Sequence, residues 1–181
     1  NLGLSIEILK ALRYKNYTDA TDIQKRLIPA MFTRRDILAG AQTGTGKTAA
    51  FSLPIIDSIA KENSQNHYPR ALIIAPTREL ANQIYNSTVE YSRYLPIKST
   101  ILYGGVNIKT QANRLKDGVD IVIATSGRLI EHINQSNISL EKIEYLVLDE
   151  ADTVLDMGFL NEISQILSHL PTQRQNILIS A

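Results

Sequence analysis

Residues 36–51 read "DILAGAQTGTGKTAAF", and the order of their parts decides the fold. A short run of strand character (36–40) enters a loop carrying Gly44 and Gly46, and a helical pattern begins at Lys47. Glycine tolerates tight backbone curvature, so successive amides can point inward at phosphate oxygens. The following helix adds free N–H groups and the positive end of its dipole. Lys47 is then placed to reach β- and γ-phosphates, and the Thr48 hydroxyl to ligate Mg²⁺. The nucleotide-binding candidates here are Ala41, Gln42, Thr43, Gly44, Thr45, Gly46, Lys47 and Thr48. Ala41 stands where the general pattern has its first glycine. A flexible Gly/Thr loop with a solvated lysine has similar composition, but it does not need a strand before it and a helix after it.

Outward from this stretch, apolar runs of strand length recur at 36–40, 71–75, 99–103, 120–124, 145–149 and 176–180. Helical patterns fall between them near 47–60, 77–94, 107–116, 127–134 and 153–169, with two more near 4–13 and 21–32. Strands apolar on both faces and separated by helices predict an α/β fold, with a mainly parallel sheet covered on both sides. Right-handed crossovers place the C-terminal ends of the strands on one rim, where ligands of open α/β sheets bind. Pro54 lies inside the helix at 47–60 and predicts a kink or an early end there. Residues 61–69 read as a polar surface loop.

The run "YLVLDEAD" (145–152) ends in three carboxylates, Asp149, Glu150 and Asp152. Acids crowded at the end of a buried strand repel one another and lose hydration, so the arrangement asks for a cation. On the rim shared with the phosphate loop, Asp149 can hold Mg²⁺ through its waters. Glu150 beside it is suited to orient, and to deprotonate, a water attacking the γ-phosphate.

Composition sets bounds on this reading. The 181 residues are 44% hydrophobic and 20% charged with a net charge of +1, which fits one globular domain and gives no overall basic field. There is no cysteine, so disulfides and thiolate metal sites are excluded. No apolar run approaches membrane-spanning length and no signal peptide is visible. A cytoplasmic protein with no membrane partner is expected. The chain opens on Asn1 and closes on the strand-like "NILISA", as expected of a domain excised from a longer polypeptide and monomeric as a fragment.

These motifs resemble the DEAD-box RNA helicases. "AQTGTGKT" (41–48) looks like their motif I and "DEAD" (149–152) like motif II. "PTRELA" (76–81) looks like motif Ia, Gly104–Gly105 like the GG motif, Ser180–Ala181 like the start of motif III and "NYTDATDIQ" (16–24) like the Q motif. "LDMGF" (155–159) and "LPTQRQ" (170–175) look most like the bacterial RNA-helicase-E-like subgroup. The resemblance spans residues 1–181 and implies the N-terminal RecA-like, P-loop NTPase domain of an ATP-dependent RNA helicase. A second RecA-like domain of the same polypeptide would carry the later motifs.

What the resemblance implies for single residues is specific. Gln24 would pair with the adenine N6 and N7 edge, since its amide both donates and accepts, and Tyr17 would stack on the base. Ala20 and Asp22 replace the usual prolines of the Q motif. Lys47, Asp149 and Glu150 would be catalytic, with ATP and Mg²⁺ as cofactors and Thr48 and Asp149 as metal ligands. Thr77, Arg78, Gly104, Gly105, Thr125, Gly127 and Arg128 would bind RNA, single-stranded or as a short duplex. Arg, Thr and glycine-exposed amides suit phosphate oxygens and grip one strand irrespective of sequence. Ser126 stands where the family has proline, which is expected to cost rigidity rather than a contact. Asp152 and Ser180 would couple nucleotide state to the second domain, and Glu79 would hold the motif Ia loop.

Two alternatives are an ATP-gated RNA clamp or scaffold that unwinds little, which would carry identical motifs, and a DNA-directed translocase on the same fold, against which the Q motif and the literal Asp-Glu-Ala-Asp argue. Some residues are expected to carry no chemistry. His67, His132 and His169 read as surface or helix-end residues without metal-like spacing. Tyr85, Tyr91 and Tyr94 read as packing or rim, Met157 and Phe159 as packing, and "KALRYK" (10–15) as a solvated helix end.

Overall fold

The computed structural model describes residues 2–42, 44–62 and 68–180. Within these residues, six strands form one sheet in the order β1-β6-β5-β2-β4-β3. They are β1 (Ile37–Gly40), β2 (Ala71–Ile74), β3 (Ser99–Leu102), β4 (Ile121–Ala124), β5 (Tyr145–Leu148) and β6 (Gln175–Ser180). Every neighbouring pair is parallel. Among the described residues, eight helices connect and flank them: α1 (Ile6–Tyr14), α2 (Asp22–Met31), α3 (Lys47–Glu62), α4 (Arg78–Tyr91), α5 (Ile108–Lys116), α6 (Ser126–Asn134), α7 (Ala151–Asp156) and α8 (Leu160–Leu167).

Strand alternation sorts the apolar residues into two cores, because successive side chains point to opposite faces. Ile73, Ile121, Ile123, Tyr145, Val147, Ile177 and Ile179 pack with Ile28, Phe51, Ile55 and Ile84 from α2, α3 and α4. Leu72, Ile74, Val122 and Leu146 pack on the other face with Leu115, Leu129, Ile163 and Ile166 from α5, α6 and α8. Burial on both faces is what makes the central strands continuous apolar runs.

Edge strand β1 departs from that rule. Leu38 is 79% exposed, so the face it shares with neighbouring β6 is not fully covered.

Three expectations about helices are corrected. Pro54 neither ends nor shortens α3, which runs without interruption to Glu62. Residues 49–57 are all buried, and burial on every side holds the helix where local propensity alone would break it. The single helix expected over 153–169 is two. Gly158 adopts φ +78°, and its N–H donates to Leu155 O while the Phe159 N–H donates to Val154 O. That is the paired-bond helix stop for which glycine is favoured, with Phe159 packing beside Val154. Met157, read as packing, is half-exposed.

The two faces of the sheet edge give a direct contrast. Ile177 is 0% exposed and Leu38 sits on the adjoining strand. Ile177→Ala is expected to lower unfolding free energy by about 2–5 kcal/mol in a urea titration, and Leu38→Ala by less than about 0.5 kcal/mol. Equal losses would show that the β1 side is covered in solution.

Candidate functional site

Strand β1 delivers the chain to the rim at Gly40, and α3 begins seven residues later at Lys47. Gly44 and Gly46 have φ +82° and +86°, so this curvature does require residues without a Cβ. Thr43 lies outside the described residues. Lys47 is buried, and its Nζ donates to Ala41 O at 2.6 Å and to Ser180 O at 3.2 Å. The ammonium thus sits between the phosphate loop and the end of β6.

Strand β5 brings the acids to the same place. Asp149 is 3% exposed, and its Oδ1 accepts from the Glu150 N–H at 3.0 Å. Burial raises its pKa from 3.8 to about 6; the Glu150 N–H and Lys47 oppose the rise, and the charges of Glu150 and Asp152 reinforce it. Glu150 caps α7 in the left-handed region, φ 51° and ψ 52°, a conformation that costs a residue with a Cβ about 1–2 kcal/mol. Helix α7 lies against β6, so the helix carrying Asp152 touches the strand that ends in Ser180.

A cavity of about 370 Å³ is lined by Lys47, Thr48, Gly44 and Gly46, by Asp149 and Glu150, and by Tyr17. One wall was missed in the sequence. Leu80, Gln83, Ser87 and Tyr91 of α4 also line it, and their spacing of three and four puts them on one helix face. The signal was present, but a polar stripe on a helix resembles a solvent-facing one. Tyr91 meets the Tyr17 ring edge-on at 6.4 Å, with 3.5 Å between the hydroxyls. Burial and that neighbour push the Tyr91 hydroxyl pKa well up.

Other expected nucleotide residues lie around this cavity rather than in it. Ala41 and Thr45 line an adjoining depression with Thr21 and Arg26. Thr45 Oγ1 donates to Gln42 O at 2.7 Å, which braces the loop. Gln24 is buried at the start of α2. Its Oε1 accepts from the Thr21 N–H at 3.0 Å in a capping box, and its Nε2 donates to Gly46 O at 3.2 Å. A Cβ at Gly46 would meet that Nε2, so a larger residue would push the Gln24 amide aside as well as strain φ.

The expected RNA residues form a second group. Thr77 caps α4, its Oγ1 accepting from Leu80 N at 3.2 Å. The Arg78 guanidinium stacks 5.2 Å over the Tyr103 ring and lies 3.3 Å from where a Gly105 Cβ would be. Gly104 faces open space. Thr125 occupies the position before α6, without a capping bond from its side chain, and Gly127 is in the first turn. The Arg128 side chain is only 10% exposed. It donates to Val106 O at 2.8 Å and Gln111 Oε1 at 3.2 Å, and pairs with Glu131. Arg78 and Arg128 therefore tie the loops after β2, β3 and β4 together. His132, read as a surface or helix-end residue, lies in the last turn of α6 but is fully buried. It shares Gln111 Oε1 at 3.0 Å, and burial lowers its pKa. His169 is exposed, and His67 lies outside the described residues. No group of three or more His, Cys, Asp or Glu among the described residues is arranged to hold a metal alone.

The model of the DEAD/DEAH box helicase family matches residues 21–181. The chain belongs to this family. It is 42% identical over 180 residues to the DEAD-box ATP-dependent RNA helicase CshA of Geobacillus kaustophilus, covering 99% of this chain and 38% of that protein. It is 40% identical over 181 residues to the ATP-dependent RNA helicase DbpA of Bacillus subtilis, covering 100% and 37% respectively. The crystal structure of a DEAD box protein from Methanococcus jannaschii superposes with a TM-score of 0.92 at 38% identity, over 99% of this chain and 48% of that one. The fold is therefore the RecA-like domain of DEAD-box proteins. The chain spans less than half the length of these relatives. No helix among the described residues is long and apolar enough to cross a membrane.

The buried Asp149 carboxylate yields a prediction for the nucleotide-free protein. Its raised pKa means that the fold favours the protonated acid. This contribution is fully present below pH 3.8 and is lost as pH rises through about 6. Asp149→Asn is accordingly expected to raise stability at pH 7.5 by roughly 1–3 kcal/mol and to gain little at pH 4. Thermal melts at both pH values check this, and equal gains would rule out the buried charge as the cause.

Proposed function

We propose that this chain binds Mg-ATP and one strand of RNA. It would supply half of an ATP hydrolysis site in a cytoplasmic RNA helicase, with a second RecA-like domain of the same polypeptide supplying the rest. The observation that carries the reading is the single cavity that collects Lys47, Thr48, Asp149, Glu150 and Tyr17. The names of the relatives support ATP and RNA as the ligands.

The residues divide the work by charge. Lys47 exchanges its two carbonyl partners for β- and γ-phosphate oxygens, which are better acceptors because they are charged. The loop amides from Gly44 onward and the N-terminus of α3 add donors. The donor set fits Mg²⁺: Asp149 and the Thr48 hydroxyl offer oxygens, with phosphate and water completing a shell that the protein alone does not build. When bound, the ion offsets charge on the phosphates and on Asp149. Glu150, held by its left-handed backbone at the mouth of the helix, orients the attacking water.

Gln24 can read adenine without releasing its present partners. One lone pair on Oε1 and one hydrogen on Nε2 remain for N6 and N7 of the base. The base reader is thus bonded to the phosphate loop itself, through Gly46. Tyr17 stacks on the base. Thr77, Arg78, Gly104, Gly105, Thr125 and Gly127 face the RNA backbone, and Arg128 shapes that surface from beneath. Asp152 and Ser180 transmit nucleotide state to the second domain.

Titration with a fluorescent ATP analogue tests the site. Lys47→Ala is expected to weaken Mg-ATP binding by roughly 100-fold, and unchanged affinity would remove Lys47 from the phosphates. Gln24→Ala is expected to lower the preference for ATP over GTP by about 10-fold, the scale of lost hydrogen bonds to a base edge. An unaltered preference would remove the adenine role. Strand displacement by the full-length protein separates a helicase from a clamp, since ATP-dependent RNA retention without displacement contradicts unwinding.

A further inference from the structure

Helix α6 is held at its first residue by a carboxylate from α8. Ser126 is 5% exposed, and its hydroxyl donates to Glu162 Oε2. Glu162 is the third residue of α8. Its other oxygen lies over the first turn of α6, 3.9 Å from where a Cβ on Gly127 would be. The two helices pack on each other over Leu129, Ile163 and Ile166. Thr125, before Ser126, is extended with φ −84° and ψ 146°.

Those dihedrals say what the hydrogen bond replaces. The first position of a helix tolerates proline, whose missing N–H has no intrahelical partner there and whose ring fixes φ. The ψ of Thr125 is also the one that a following proline requires. A proline at 126 would set this loop through covalent geometry. Serine leaves φ free, and here the side chain sets the loop by bonding to another helix. The loss of rigidity expected from sequence is thus offset by a contact that only a hydroxyl can make.

We propose that Glu162 is a positioning residue for the RNA-facing loop at 125–128, acting through the Ser126 hydroxyl. The proposal rests on the reading that this loop touches RNA. It makes the loop's placement depend on α8, which is joined to Glu150 only by α7 and its Gly158 stop. A loop held by proline would lack that dependence.

The test measures anisotropy of a fluorescein-labelled single-stranded RNA on the full-length protein with Mg²⁺ and a non-hydrolysable ATP analogue. Ser126→Ala and Glu162→Ala are each expected to raise the RNA Kd about five-fold, and the double variant no more than either alone. Glu162→Gln keeps an acceptor and is expected to stay within about two-fold of the parent. Ser126→Pro is expected to restore parental affinity, and on that background Glu162→Ala should have no effect. A loss from Glu162→Ala that persists with proline at 126 would overturn the proposal, because the carboxylate would then act elsewhere. So would unchanged binding in Ser126→Ala. Thr125→Asp places a residue favoured at a helix N-cap there but adds negative charge to the loop. If it leaves RNA binding unchanged, the loop does not touch RNA, and the loop assignment falls together with the positioning role. If it weakens binding while Ser126→Ala does not, only the positioning role falls.

Discussion

The rim of this domain is organised around one buried ammonium. Lys47 is held by the carbonyls of Ala41 and Ser180, which joins the phosphate loop after β1 to the end of β6. These strands are neighbours in the sheet but lie at opposite ends of the chain. Asp149 comes from the next strand across, and the Lys47 charge opposes the rise that burial causes in its pKa. A buried cation bonded to neutral carbonyls, beside a carboxylate that resists ionisation, is only partly compensated. The proposed magnesium-bearing triphosphate would supply what each group lacks, anionic oxygens for the lysine and a cation for the acid.

The rest of the fold keeps those groups in register. Parallel pairing aligns the strand ends, and the two apolar cores clamp the sheet from both faces. Helix α4 borders both proposed sites. Its N-terminus carries Thr77 and Arg78, two of the proposed RNA residues, and its Leu80–Tyr91 stripe walls the cavity that holds Lys47 and Asp149. Gln24 makes a second link, binding the start of α2 to the Gly46 carbonyl. The residues proposed for base, phosphate and RNA therefore share braces, although they are far apart in sequence.

Much of this was legible in the residues. Each strand was read to within a residue or so, because a doubly buried strand writes itself as an apolar run. The union of Lys47 with Asp149 followed from the rule that strand ends share a rim. What local pattern could not carry was tertiary. Pro54 sits in a helix buried on all sides, so packing overrode a breaker. His132 and Arg128 are spent on Gln111 and Val106, partners that only the fold brings near. Tyr91 packs in the core as read, but its place in the cavity wall depends on Tyr17, 74 residues away. The stop at Gly158 is different: the glycine stood in plain view within the helical pattern and was passed over.

The central claim is that Lys47 and Asp149 hold one Mg-triphosphate between them. A crystal structure of the protein with Mg²⁺ and a non-hydrolysable ATP analogue addresses it most directly. The account predicts Lys47 Nζ drawn from the Ala41 and Ser180 carbonyls onto phosphate oxygens, the metal beside Asp149, and the adenine against Tyr17. Nucleotide bound away from this cavity, with Lys47 still on its two carbonyls, would contradict it.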